Sequence, residues 1–196
     1  MPSGKAMRLR LEGAAALSHA IQQLKPYHAL GLGRLRKGLP EEINIKTKNA
    51  ISATETGAIS RTNKNIIFAE NIPAFALIDY DAKGLTEEVR QNIANFGGVW
   101  ESLCAVIPEL ERTERVTRLS TSAGLYNLST GDKIAGSEGK HIFVLIADGS
   151  DSERFLKTLH DRCWLHGLGW HMVGAAGQRW KILACARATA SFSTCR

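Results

Sequence analysis

Long apolar runs are missing from this chain of 196 residues. The longest, Ala74 to Ile78 and Ile142 to Ala147, fall far short of the ~20 residues a membrane span needs, and no signal-peptide core precedes them, so a cytoplasmic protein without membrane association is expected. Cysteine is sparse: Cys104, Cys163, Cys185 and Cys195 form neither a CxxC pair nor a zinc-knuckle spacing. That pattern argues against a disulfide framework or a structural zinc and leaves free thiols. Acidic residues are missing altogether from the 18 residues after Gln178, "RWKILACARATASFSTCR". What remains, 44% hydrophobic and 22% charged, is the composition of an ordinary globular domain with a sizeable core.

Positive charge is in excess and unevenly placed. The chain carries +6 overall, yet residues 1 to 68 hold 11 Lys and Arg against 4 Asp and Glu, a local +7 that leaves −1 for the rest. Such an excess either keeps a surface solvated or meets phosphate. The cluster Arg34, Arg36 and Lys37, followed by Lys46 and Lys48 among glycines, is compatible with contact to a nucleic-acid backbone.

Helical and strand periods alternate along the chain. "LEGAAALSHAIQQLKP" sets Ala14, Leu17, Ile21 and Leu24 at helical spacing and closes on Pro26, and a basic, Gly-rich connector follows to about residue 42. "NIIFAENIPAFALIDYD" reads as two short strands or one interrupted at Pro73. Thr86 then caps a helix with Glu87 and Glu88 in its first turn and Val89 and Ile93 on its apolar stripe, ending at Gly97 and Gly98. Trp100, Leu103 and Ile107 predict a short helix stopped by Pro108, and "RVTRLSTSAGLYN" a strand entering a Ser/Thr-rich turn. "KHIFVLIAD" is a strongly apolar strand, followed by a helix capped at Asp151 or Ser152 with Phe155, Leu156, Leu159 and Cys163 inward. "WHMVGAAG" predicts one more strand and turn, and the tail after it shows no clear period and is expected to stop without a closing strand or helix, leaving the C-terminal strand region incomplete. The expectation is a single α/β (α+β) domain without internal repeats. Within it, residues 1–54 form a basic N-terminal segment, 55–178 the core and 179–196 an atypical tail.

The stretch "FALIDYDAKG" raises the chemical question, because an apolar, buried strand ends on Asp79 and Asp81. Residues i and i+2 of an extended chain share a face, so the two carboxylates project together and repel unless a cation neutralises them. Oxygen-only ligation suits Mg²⁺ or Mn²⁺; a solvated Asp/Gly turn is the plainer alternative. In "SEGKHIFV", Ser137, Gly139, Lys140 and His141 stand at the entrance of a buried strand, a setting of backbone N–H groups, ammonium and imidazole suited to a triphosphate; an ordinary histidine opening a strand is the plainer alternative. "STSAG" adds the hydroxyls of Ser120, Thr121 and Ser122, or is a simple turn. His160, Cys163 and His166 stand three apart, but steps of three drift around a helix by ~60° each, so a zinc set is disfavoured. "GLGWHMVGAAG" lacks the strand-then-helix setting of a dinucleotide loop.

In their order, "ISRT", "FALIDYD", "STSAGLY", "GSEGKHIFV", "FLKTLHDRCWLHGLGW" and "MVGAAGQ" resemble the archaeo-eukaryotic primase and primase-polymerase superfamily, closest to the primase domains of phage- and plasmid-borne replication proteins. The resemblance covers roughly residues 55 to 178. It implies an RRM-like mixed sheet flanked by helices and a DNA primase/polymerase nucleotidyltransferase using nucleoside triphosphates, Mg²⁺ or Mn²⁺ and a single-stranded DNA template, with a replicative helicase as a further partner. It also implies Asp79 and Asp81 as metal ligands and His141, with Lys140 and Ser137, as holder of the nucleotide phosphates, Ser120 and Ser122 standing beside them.

One departure accompanies it. The family's third carboxylate lies on a strand after the equivalent of "VGAAGQ", where this chain has no Asp or Glu. A reading frame lost near Arg179 would account for the tail and would leave a catalytically weak or inactive remnant. A DNA-binding remnant without chemistry, or another two-metal phosphoryl-transfer enzyme such as a nuclease, are the alternative functions.

Overall fold

A computed structural model describes residues 3–52, 56–82, 84–120, 123–134, 138–173 and 179–183 of the chain, which is mixed α/β. Its contacts divide into two compact units: one of residues up to Phe75 with Ile146–Ser152, the other of Ala76–Leu145 and the described residues after Ser152.

In the first unit β1 (Ser3–Met7) precedes helix α1 (Gly13–Gln22), and the strands β2 (Arg34–Leu35), β3 (Glu42–Lys46), β4 (Ala58–Ser60) and β5 (Ile66–Ile67) follow. β3 pairs antiparallel with β1, Lys5 opposite Asn44, and parallel with β4, Ile45 opposite Ile59. β2 and β5 form a separate antiparallel ribbon, Leu35 opposite Ile66. Leu35, Ile43, Ile59 and Ile66 make the buried cluster, with Ala6, Leu39 and Ile45 packed against it. α1 falls where its period predicts and buries Leu17.

The connector expected up to residue 42 therefore contains a strand, and β1 lies where no strand is expected. Their sequences hide them: β1 is "SGKAM", mostly exposed, and β2 is two residues long, too short to show a period of two.

The second unit is built on β6 (Ala74–Tyr80), β7 (Arg115–Leu119) and β8 (Lys140–Ile146), in spatial order β6-β8-β7. The middle strand buries Ile142, Phe143 and Val144 in succession, as a strand covered on both faces does. Helices α2 (Glu87–Asn95), α3 (Val99–Val106) and α4 (Ser152–Leu165) follow the predicted punctuation. Thr86 Oγ1 accepts from the Val89 N–H at 3.3 Å, closing the expected cap over a first turn bearing Glu87 and Glu88. α4 buries Leu156, Leu159 and Cys163 at helical spacing and leaves Phe155 half-buried. Asn92 of α2 donates its side-chain amide to the Gly167 carbonyl at 2.9 Å, fixing the turn after α4.

The tail corrects an expectation. After β9 (Gly169–Val173), the described part of the tail is a strand, β10 (Arg179–Leu183), antiparallel to β9 with Trp180 opposite Met172 and Ile182 opposite Trp170. Five residues alternating basic and large apolar types are enough for a hairpin partner, and the aperiodic sequence that follows hides them. Residues 184–196 lie outside the described residues.

Candidate active site

Three strand ends of the second unit meet at one place. β6 runs Leu77-Ile78-Asp79-Tyr80, and its burial alternates: Ala76, Ile78 and Tyr80 are buried, Leu77 and Asp79 half-buried, and Asp81 just beyond the strand is exposed. The expected shared face of Asp79 and Asp81 rests on the period of two, which holds up to Tyr80; Asp81 stands one residue past the end of β6. On β8 His141 stands at the other side of the gap, its Nε2 3.5 Å from Asp79 Oδ1. The pair keeps 20% and 28% of its side-chain surface, shielded enough to be held and open enough to meet a ligand. The Phe143 ring, two residues along the same face, stands edge-on to the imidazole at 6.5 Å between centroids.

Gly139 joins the third end. The Ser120 N–H donates to its carbonyl at 2.9 Å, extending the β7–β8 ladder by one bond. A Cβ on Gly139 would lie 2.5 Å from Ser120 Oγ, 3.2 Å from Ser120 Cβ and 3.3 Å from the Tyr80 carbonyl oxygen. The hydroxyl can rotate away, but the contacts to Ser120 Cβ and the Tyr80 oxygen would have to give by a few tenths of an ångström, so glycine favours the close approach of the three strand ends. The "GKH" glycine thus helps to bring Ser120 beside the end of the aspartate strand.

The register reveals a residue that motif reading missed. Arg118 of β7 is the direct antiparallel partner of His141. Partners in such a ladder share a face with Cβ atoms about 5 Å apart, so Asp79, His141 and Arg118 form a row across the sheet. Arg118 is half-buried. Its signal in the sequence is weak, one arginine in "RVTRLS", and becomes readable only once Leu119 is set opposite Lys140. Lys140, the neighbour of His141, belongs by the pleat to the other face. Ser122 and Ser137, with Thr121, lie outside the described residues.

The disfavoured zinc set does not assemble. Cys163 is fully buried, and burial alone pushes its thiol up to about 12. His166 is exposed, and His160 Nδ1 lies 3.3 Å from Asp161 Oδ1. Among the described residues no three His, Cys, Asp or Glu side chains gather into a metal-sized group. Cys104 is likewise a buried free thiol, raised first by burial and then by Glu111, with Arg115 opposing. That arginine stacks 4.0 Å over the Trp100 ring, a cation–π contact at the root of β7.

No family model matches the chain, and neither the curated proteins nor the solved structures contain a match to it. Among the described residues no helix is long and apolar enough to cross a membrane.

Proposed function

We propose that the chain is a primase-polymerase nucleotidyltransferase domain that joins nucleoside triphosphates on a single-stranded DNA template. The observation that carries this reading is the approach of Asp79 and His141 to 3.5 Å where the ends of β6, β7 and β8 converge. The β6-β8-β7 sheet with its three helices is compatible with the RRM-like fold this activity would use.

Asp79 and Asp81 are the residues that would hold Mg²⁺ or Mn²⁺. Two hard oxygen donors, one near the end of β6 and one just past it, fit an ion that keeps several waters and takes its remaining ligands from substrate phosphates. Such ions, when bound, make the attacking hydroxyl more acidic and neutralise the departing pyrophosphate. The chain's own groups orient the reactants. Arg118 and the His141 ring, in one row with Asp79, offer N–H donors to the oxygens of the triphosphate, and the Ser120 hydroxyl stands at the same strand ends. The 3′ oxygen of the primer bonds to the α-phosphorus as the bond to the pyrophosphate oxygen breaks, and the hydroxyl proton leaves to water. Positioning and charge supply the rate without a covalent enzyme intermediate.

Template-dependent incorporation of labelled NTPs and dNTPs, in Mg²⁺ and in Mn²⁺, tests the proposal. Asp79→Ala lowers incorporation by about three orders of magnitude, the several kcal/mol that metal-borne charge stabilisation contributes. Incorporation that survives the substitution rejects the assignment, and DNA degradation without added nucleotides assigns a nuclease instead.

A second reading, a DNA-binding protein without chemistry, draws on β10. That described strand carries Arg179 and Lys181 and no carboxylate. DNA binding that persists in EDTA with no incorporation in either metal supports it.

A further inference from the structure

We infer that the β2–β5 ribbon of the first unit is a docking surface for the phosphate backbone of a nucleic-acid strand. Leu35 and Ile66 of this ribbon turn inward to the buried cluster. Arg34 and Arg36 flank Leu35 and therefore share the outer face, both exposed. Lys37 follows in the turn, also exposed. The Arg36 N–H donates to the Asn65 carbonyl at 2.8 Å, which brings exposed Lys64, the neighbour of Asn65, to the same end of the ribbon. Lys64 is absent from any cluster readable in the sequence, because it joins Arg36 through the pairing of two distant strands.

These four cations differ from other basic residues of the unit. Lys5 meets Glu42 at 2.7 Å and Arg8 meets Glu41 at 3.5 Å. Among the described residues no carboxylate pairs with Arg34, Arg36, Lys37 or Lys64, and the sequence from Ala29 to Pro40 and from Thr56 to Ala69 contains no Asp or Glu. Four like charges gathered without counter-charge repel one another, so the arrangement costs stability unless an anion relieves it.

The backbone beneath them is fixed. Arg8 donates through one nitrogen to the carbonyls of Arg36 at 3.2 Å and Leu39 at 3.0 Å, clamping the turn that carries Arg36 and Lys37. On the other side Gly33 lies against Ile66, where a Cβ would come within 2.7 Å of a methyl group. Cations mounted on a held backbone lose less freedom on binding than cations on a loose arm. An anionic membrane is the poorer fit: the ribbon's core-facing side chains are already used within the unit, so it offers charge with little to insert among acyl chains.

The test uses the full chain and a labelled single-stranded DNA oligonucleotide in EDTA, without nucleotides, followed by fluorescence anisotropy over a salt series. It rests on the polymerase reading only in the choice of probe; incorporation is a separate assay, so either idea fails without the other. The variant Arg34→Gln/Arg36→Gln/Lys37→Gln/Lys64→Gln binds about 10- to 100-fold more weakly, and the slope of log K against log salt flattens by about 0.7 for each phosphate no longer neutralised. The single changes Arg34→Gln and Lys64→Gln, at exposed positions, each flatten it by about 0.7 and keep the test valid if the combined variant folds poorly. A matched variant in the second unit, Arg90→Gln/Arg112→Gln/Lys133→Gln/Lys157→Gln, removes the same charge and leaves affinity within about threefold. Equal losses from the two variants, unchanged binding in the ribbon variant, or binding to phosphatidylglycerol vesicles but not to DNA each overturn the inference.

Discussion

The two units spend their apolar residues differently. Of the nine largest fully buried side chains among the described residues, eight belong to the second unit (Ile78, Ser102, Leu103, Ile142, Val144, Leu159, Cys163 and Leu168) and only Leu17 to the first. Among the described residues the first unit holds a smaller cluster of four aliphatic residues, with Leu17, Ala58 and Phe75 also buried, beneath strands of two to five residues, and it carries most of the chain's excess positive charge. The contrast teaches what each kind of site requires. A carboxylate, an imidazole and a guanidinium aligned across three strands depend on a core that holds those strands in register. Cations that meet a backbone of phosphates need only a face and a fixed turn.

Truncating the core should separate the units most strongly. Leu159→Ala, at a fully buried position, is expected to cost about 2–5 kcal/mol in urea denaturation. Leu35→Ala in the smaller cluster should cost about 1–2 kcal/mol, because a site near the surface relaxes into its void. Equal losses at both positions would erase the distinction.

Next in size is the candidate site of the second unit. On the proposed function, Arg118→Gln should raise KM for the incoming triphosphate by about 10- to 100-fold, the effect of removing one charge-assisted hydrogen bond, while oligonucleotide binding in EDTA stays unchanged. A variant that loses DNA affinity and keeps its KM would move Arg118 from the nucleotide to the template.

Overpacking gives a smaller stability effect. A Cβ on Gly169 would lie 2.6 Å from two atoms of the Trp164 indole, which packs against the His171 ring at 5.0 Å between centroids, so Gly169→Ala should cost about 1–3 kcal/mol. Gly57 of the first unit has open space around it, and Gly57→Ala should change stability by less than about 0.5 kcal/mol. Thermal unfolding of the two variants side by side reads the difference.

The last effect is a pH dependence that reports on the second unit, to which Cys163 belongs. Burial raises the Cys163 thiol from the ordinary value of 9.0 to about 12 in the folded chain. The raised folded value means that this contribution is whole below pH ~9 and is lost as pH climbs toward 12, about 1.4 kcal/mol by pH 10. Cys163→Ala should flatten the fall in urea midpoint between pH 8 and pH 10; an unchanged slope would show that another group titrates there.

Much of the second unit is legible in the sequence. α2 and α4 announce themselves through Thr86 and through Leu156, Leu159 and Cys163, and β6 and β8 through unbroken apolar runs, because capping and periodicity act over a few residues. The first unit is harder to read. β2 and β5 are two residues each and acquire strand character only by pairing with one another. At the candidate site, Asp79 and His141 are visible as motif residues, and the shared face expected of Asp79 and Asp81 rests on the period of two. Arg118 is not visible, since its importance lies in an antiparallel register that places it opposite His141.

By itself, then, the sequence determined the helices, the two buried strands, the excess of positive charge in its first third and the carboxylates that end β6. These are properties of neighbouring residues, settled by steric period, capping and composition. Only the tertiary structure decided that Asp79 meets His141, that Arg118 completes their row, that Gly139 sits close against Ser120 and Tyr80, and that Lys64 stands with Arg36. Each of those depends on strand pairing between residues far apart in the chain, where one step of register would turn every side chain to the opposite face.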